Sequence, residues 1–442
     1  MIDRAVFDRH LESIRNVQLC QLKGRISQAI GLTMEAVGPR LSLGELCYVA
    51  SNNPLQPFTA AEVVGFKNDR SLLMPLGELE GIGPGSELIA SGKTLRVKVG
   101  MDLRGRVLDG LGEPIDGLGR IRPEATYPVM NQPPNPLSRT RIKDILPVGI
   151  KAIDGLNTVG RGQRIGIFAG SGVGKSTLIG MAARNTGADI NVIALIGERG
   201  REVREFLEKD LGPDGLARSV VVVATSDQPA LVRIKGAFVA TSIAEYFRDQ
   251  GFDVLLLMDS LTRFALAQRE VGLAIGEPPA TRGFTPSVFA LLPKLLERAG
   301  TAARGSITGL YSVLVEGDDI NEPITDAVRG IVDGHVVLSR NIAAQNIYPA
   351  IDILQSISRV MIDLADSGHM QAANYFRSIL ATYEEARDLI DIGAYKEGAN
   401  PRIDEAIALI GQCQSFLRQD INEEAGFADT LEALKNIAHR QV

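Results

Sequence analysis

The sequence predicts an α/β protein: a core built on a mostly parallel sheet, preceded by a small β domain and followed by a helical one. Three observations carry this. Between about 144 and 365, apolar runs of strand length alternate with helical patterns, as in Arg164-Ile-Gly-Ile-Phe-Ala169, Ser219-Val-Val-Val-Val-Ala224 and Val254-Leu-Leu-Leu-Met258. Continuous rather than alternating apolar character marks strands covered on both faces. From Leu22 to about Val99 short β-like runs are broken by Gly and Pro, and from about 366 the chain is rich in Ala, Glu, Leu and Ile. The first texture suits a small barrel or sandwich and the second a helical domain.

Taken in order, residues 1–19 space Ile2, Val6, Ile14 and Val17 at helical intervals between charges, a helix that is either solvated or docks a partner. It is assigned 1–21. The β domain, 22–99, draws on Cys47–Ala50, Ala61–Phe66 and Ser71–Met74. A connector over 100–143 includes Gly105–Gly117 and the proline-rich Tyr127–Pro136, which continues neither a helix nor a central strand. It belongs with the core, 100–365. The helical domain, 366–442, contains Asp404–Ile410 and Thr430–Lys435.

Composition bounds the function. The 442 residues are 45% hydrophobic and 23% charged with net charge −6, which excludes collagen-like chains and wholesale disorder. Mild acidity argues against a dedicated nucleic-acid binder. Cys20, Cys47 and Cys413 are odd in number and far apart, so no disulfide framework or zinc cluster is expected and a reducing cytoplasm is. No apolar run approaches the ~18–20 residues of a spanning helix. The charged start, Met1 to His10, lacks the apolar stretch of a signal peptide.

The strongest chemical signal is Ile165-Gly-Ile-Phe-Ala-Gly-Ser-Gly-Val-Gly-Lys-Ser-Thr-Leu178, an apolar strand running into a glycine-rich loop that opens a helix. Backbone N–H groups of Gly170, Ser171, Gly172, Val173 and Gly174 and the helix start at Lys175, Ser176 and Thr177 wrap a nucleotide phosphate; Lys175 reaches the β/γ-phosphates and the Ser176 hydroxyl takes Mg²⁺. Ala169 stands where the motif has its first glycine. Asp259 ends the run Val254–Met258 at the carboxyl edge of the sheet and is expected to hold Mg²⁺ through water. Alone, such a carboxylate is more often a helix cap. Glu198 ends Asn191-Val-Ile-Ala-Leu-Ile-Gly-Glu-Arg199, either to orient an attacking water or to pair with Arg199, Arg201 or Arg204.

Together with the loop, four stretches resemble one family: Gly197-Glu-Arg199, Asp259-Ser-Leu-Thr-Arg-Phe264, the segment Gly276–Gly300 opening Gly-Glu-Pro-Pro, and Tyr348-Pro-Ala-Ile-Asp-Ile-Leu-Gln-Ser-Ile-Ser-Arg359. They are similar to the catalytic subunits of rotary F- and V-type ATPases. Within that superfamily, Gly-Glu-Pro-Pro and Val315–Ile324 look like the ATPases of type III protein export, flagellar branch. The resemblance covers about residues 22–410. It implies a RecA-like core with an N-terminal β-barrel, an ATP- and Mg²⁺-dependent hydrolase, Glu198 as the catalytic glutamate and Arg263 as an arginine near the γ-phosphate. It also implies Tyr348 stacked on adenine, although a Tyr before Pro is equally packing, and Arg359 as an arginine finger entering a neighbouring subunit.

A homo-oligomeric ring, a hexamer, follows from that finger. The implied partners are a stator-like negative regulator at the N-terminus, a stalk protein, export chaperone and substrate complexes, and a membrane export gate. The chain is then cytoplasmic, peripheral to the inner membrane, and binds no nucleic acid. Three alternatives remain: an injectisome export ATPase, a rotary synthase subunit, and a ring-shaped RNA translocase. Glu198 opposes a non-catalytic synthase subunit. Few aromatics (Tyr48, Phe58, Phe66) and no dense basic cluster in 22–99 oppose the translocase.

Overall fold

A computed structural model describes residues 21–315, 319 and 321–438. The expected N-terminal helix falls outside the described residues, as does most of 316–320. The chain divides into two compact units, one running to Leu95 with Ala274–Gly276 and the other holding the remainder.

The first unit is a closed six-stranded antiparallel barrel of β1 (Lys23–Ile30), β2 (Thr33–Val37), β3 (Glu45–Ala50), β4 (Phe58–Lys67), β5 (Arg70–Pro75) and β6 (Glu87–Thr94), in the order β1-β2-β5-β4-β3-β6. Alternation along β1 to β3 turns Ile26, Met34, Ala36, Cys47 and Val49 inward, where they meet Val63, Leu73 and Leu88. The barrel's last strand ends at Thr94. Arg96–Val99, expected within the barrel, forms β7 and pairs instead with β9 (Ala125–Pro128) in a separate two-stranded sheet.

The second unit is built on a nine-stranded sheet. Its strands are β8 (Val107–Asp109), β10 (Arg164–Ala169), β11 (Ile190–Ile196), β12 (Ser219–Ala224), β13 (Asp253–Asp259), β14 (Gly300–Thr301), β15 (Ser306–Leu314), β16 (Gly334–Leu338) and β17 (Ile351–Ser358). The order is β17-β16-β10-β15-β13-β11-β12-β8, with β14 on β15; only β14 and β17 run antiparallel to their partners. β8 lies inside the stretch read as a connector. Its three residues are too few for a periodic signal, yet Val107 and Leu108 are buried and register against Val221 and Val222 at the sheet edge.

Helices cover both faces: α1 (Lys151–Leu156), α2 (Lys175–Asn185), α3 (Gly200–Glu205), α4 (Gly212–Ala217), α5 (Ala230–Asp249), α6 (Leu261–Ala274), α7 (Pro286–Leu296), α8 (Pro323–Ile331) and α9 (Arg340–Ala344). A π-helical turn, Phe206–Leu211, joins α3 to α4. After α10 (Met361–Leu364) come three long helices, α11 (Ser367–Asp391), α12 (Pro401–Leu417) and α13 (Phe427–Ala438). Asp366 caps α11 by accepting from the His369 N–H, and Asn400 caps α12 ahead of Pro401. Their apolar faces share one core with the sheet's: Phe376, Phe416, Leu434 and Ile437 join Leu156 of α1, while the buried His369 ring bonds the Gly155 carbonyl at 2.8 Å.

The proline-rich connector is strapped to this unit by a buried ion pair. Arg298 and Glu245, both fully buried, meet through two bonds of 2.8 and 2.7 Å; the guanidinium also reaches the Val129 carbonyl and the Ser242 hydroxyl. Removing one partner strands the other charge in a dry interior, which costs about 3–5 kcal/mol. Glu245→Gln is therefore expected to lower the thermal unfolding midpoint of the core markedly. The paired replacement Arg298→Met with Glu245→Leu, measured by the same calorimetry, is expected to restore most of the loss.

Candidate active site

The site forms where β10, β11, β13 and β15 end side by side, at the carboxyl edge of the sheet. β10 delivers the chain into Gly170–Gly174, and the buried Val173 pins that loop to the core. Gly174 caps α2 at φ 92°, a left-handed backbone that a side chain resists. Lys175 opens α2 and points across to β13: its Nζ lies 2.5 Å from Asp259 Oδ1 and 3.7 Å from Glu198 Oε1. Ser171, Gly172 and Ser176 face solvent at the mouth.

Register explains why the two carboxylates meet. Leu195 of β11 lies beside Asp259 of β13, so Glu198, just past the strand, reaches the same corner. Asp259 is 4% exposed and its Oδ1 also accepts from Ser312 on β15 at 2.7 Å. The carboxylate thus turns to the loop's lysine rather than capping α6. Glu198 is pushed up to about 7, first by burial and then by the Asp259 charge, against the pull of Lys175. Glu202, hydrogen-bonded to Glu198, is held below the usual carboxylate value. Two of the three neighbouring arginines are used elsewhere: Arg199 pairs with Glu202 at 3.6 Å and Arg204 with Glu208 at 2.7 Å.

Arg263, on the first turn of α6, packs its stem against Gly197. A Cβ built on Gly197 would fall 2.7 Å from Arg263 Cβ, and Gly197 itself sits at φ 72°. Arg263 Nε is buried without a hydrogen-bond partner in this structure. An orphaned guanidinium nitrogen on a side chain packed against Gly197, one residue before Glu198, fits an anionic ligand. Tyr348, 44% exposed and followed by a cis peptide to Pro349, stands against the loop: its ring lies 3.9 Å from where a Gly174 Cβ would be.

Arg359 is not in this cluster. Its backbone N–H donates to the Asp333 carbonyl at 3.0 Å, just before β16, and its side chain is exposed with one long contact, 3.5 Å, to the Arg329 carbonyl. β16 reaches the loop only at its other end, where Leu338 lies beside Ala169. Five strand residues at about 3.3 Å each put Arg359 roughly 17 Å from its own phosphate-binding loop, on the opposite edge.

Two contributors have no signal in the sequence. Ser312 is one serine within an apolar strand, and Glu202 is one of many charges after Glu198; only the fold aims them at Asp259 and Glu198. At α3 the Arg199 N–H donates to Glu202 at 3.4 Å, capping-box geometry on a pair that lacks the Ser or Thr by which the motif is read from sequence.

A phosphate-binding loop on a mostly parallel sheet, with a lysine and two carboxylates at its mouth, defines a nucleotide-hydrolysing P-loop enzyme. The profile of the ATP synthase alpha/beta family, nucleotide-binding domain, matches residues 149–358, and that of the T3SS EscN ATPase C-terminal domain matches 365–436. The chain is 55% identical over 416 residues to the flagellum-specific ATP synthase of Bacillus subtilis (94% of each chain) and 53% identical over 414 residues to the type 3 secretion system ATPase of Xanthomonas euvesicatoria (94% of this chain, 93% of the other). Among solved structures, the assembled ATPase EscN of enteropathogenic E. coli superposes with TM-score 0.89 at 46% identity, covering 94% of this chain and 99% of that one. The chain belongs to the family of flagellum-specific ATP synthases and type III secretion ATPases, and it is an ATPase. No helix among the described residues is long and apolar enough to cross a membrane.

Proposed function

We propose that this chain hydrolyses ATP to energise protein export through the flagellar type III apparatus, releasing chaperone-bound substrates and unfolding them for passage. The observation that carries the hydrolytic part is the convergence of Lys175, Glu198 and Asp259 at the mouth of the loop. The N–H groups of Gly170–Gly174, with Ser176 and Thr177, bind the phosphates. Lys175 leaves Asp259 to neutralise the β/γ-phosphates, and Glu198, once ionised, accepts a hydrogen bond from the attacking water. Arg263 turns its unpaired nitrogen to the γ-phosphate, and the Tyr348 ring stacks on adenine.

The donor set fits Mg²⁺. Ser176 and Asp259 offer a hydroxyl and a carboxylate, hard oxygens of the kind that cation combines with phosphate oxygens and water. When bound, Mg²⁺ withdraws charge from the β/γ-phosphates. Asp259 is free to serve once the nucleotide draws Lys175 away, with Ser312 keeping the carboxylate in place.

Arg359 completes the site of a neighbouring copy, so the working form is a homo-oligomeric ring, a hexamer. Solved structures of EscN describe it as assembled and in complex with its central stalk EscO; the second of these superposes with TM-score 0.87. By analogy the ring here holds a stalk protein, with export chaperone and substrate complexes and a membrane export gate as further partners and a stator-like regulator at the N-terminus. It works in the cytoplasm, peripheral to the inner membrane. The flagellar branch is part of this proposal; relatives of both branches stand at similar identity, 55% for the Bacillus subtilis protein and 53% for the Xanthomonas euvesicatoria one. Deleting the gene and assaying swimming and secreted proteins in parallel tests it: lost motility with retained effector secretion is expected. Normal swimming with lost effector secretion moves the chain to the injectisome.

A further inference from the structure

The turn after α12 is tied to the nucleotide site by one residue. Gln419 is 5% exposed and every polar group it carries but its own carbonyl is used. Its Oε1 accepts from the Lys151 N–H at 2.9 Å, and its Nε2 donates to the Gly149 carbonyl at 2.8 Å and the Glu423 carbonyl at 3.0 Å. Its backbone N–H donates to the Tyr348 carbonyl at 2.9 Å. The same turn is held from the far end of the phosphate-loop helix, where Arg184 donates to the Ile421 carbonyl at 2.6 Å, and by an ion pair between Lys151 and Glu423. Gly149, in turn, sits at φ 70° with the Val148 and Gly149 N–H groups both bonded to the buried Asp154 carboxylate at 2.9 Å, so the surface that Gln419 grips is rigid.

Glutamine alone satisfies this arrangement. Glutamate lacks the two donors and would face two carbonyls, asparagine is one carbon short, and an apolar chain leaves three buried backbone groups unpaired. A network satisfied on all sides fixes one geometry.

We propose that Gln419 is a positioning residue for the nucleotide base: through the Tyr348 carbonyl it sets the stacking ring beside Gly174 and so makes base binding respond to the placement of the C-terminal helices. This rests on reading Tyr348 as the adenine-stacking residue. The phosphate loop keeps its own supports in Val173 and α2, so the effect falls on the base and spares the phosphates.

The test measures ADP and inorganic pyrophosphate binding to the full chain by calorimetry. Gln419→Ala, which keeps the backbone bond to Tyr348 and releases the side-chain bonds that fix the turn carrying it, is expected to weaken ADP about tenfold and to leave pyrophosphate within about twofold. The near-isosteric Gln419→Met, which keeps the buried volume filled, is expected to behave alike. In a Tyr348→Ala background the Gln419→Ala change is expected to add less than about twofold, because both act on one contact. Equal losses for ADP and pyrophosphate, unchanged ADP affinity in a folded variant, or fully additive losses overturn the proposal. Should neither variant fold, amide exchange on the wild-type chain decides: ADP, and not pyrophosphate, is expected to slow exchange at Gln419, and an equal response to both overturns it. Normal ADP binding by Tyr348→Ala alone overturns the base-stacking reading and this inference with it.

Discussion

Glu198→Gln is expected to bind ATP at least as tightly as the parent chain and to hydrolyse it about 10²–10⁴-fold more slowly, the usual contribution of a positioned proton acceptor. The amide preserves the shape and the contact with Glu202, and removes a negative charge from a corner that already holds Asp259. Less repulsion toward a triphosphate strengthens binding, while the water loses its acceptor. Phosphate release and nucleotide titration separate the two effects. A pH profile adds a second check. Burial and the Asp259 charge push Glu198 up to about 7, so in the free enzyme the protonated, inactive form predominates below that value and the ionised, active form above it. The kcat/KM of the parent chain should therefore rise with pH through neutrality, and the residual activity of Glu198→Gln should lack that limb. Comparable turnover in the variant would remove Glu198 from the mechanism.

Arg359→Ala is expected to abolish turnover, by about 10³–10⁵-fold, with nucleotide binding and assembly intact. Arg359 lies on the amino edge of the sheet, roughly 17 Å from its own loop along β16, exposed and with a single long hydrogen bond, so its loss disturbs little within the chain. β17 is the edge strand of the sheet, and Leu354 and Ile357 on it are 45% and 48% exposed, so the arginine is carried on a surface open to a second copy. A charge brought to the transferred phosphoryl group only across an interface acts on the transition state and contributes little to ground-state affinity. Unaltered hydrolysis would show that no finger is needed; lost assembly would show that Arg359 serves the contact and not the chemistry.

The sequence makes some of this site plain and hides the rest for a physical reason. The loop at 170–177 and the carboxylates Glu198 and Asp259 announce themselves because each follows a continuous apolar run, and in a parallel sheet every such run ends on the same edge. Ser312, Glu202 and Gln419 carry no local pattern: their roles come from register and from a turn 268 residues beyond Lys151. Local reading left Asp259 open to helix capping and Glu198 to pairing with arginine; the contacts to Lys175 and Ser312 come from neighbouring strands that only the sheet order brings together. Arg359 shows the converse, since the family resemblance marked it while a single chain leaves it far from any phosphate. The misplacement of Arg96–Val99 and the unforeseen β8 share one cause: strands of four and three residues are too short for periodicity to assign. The Arg298–Glu245 pair was equally invisible, because its members are 53 residues apart and each reads alone as a solvated charge.

The function proposed above requires a competent site to be made of two copies, one giving Lys175 and Glu198 and the other Arg359. Mixing two inactive variants puts this to the test. Arg359→Ala chains keep the loop and lack the finger, and Lys175→Ala chains lack the loop and keep the finger. Random co-assembly in equal amounts makes about a quarter of the interfaces whole, since each contributor is right half the time. ATP hydrolysis measured after mixing is predicted to recover toward that fraction of the parent rate. A mixture as inactive as its components, with co-assembly verified, would contradict the claim.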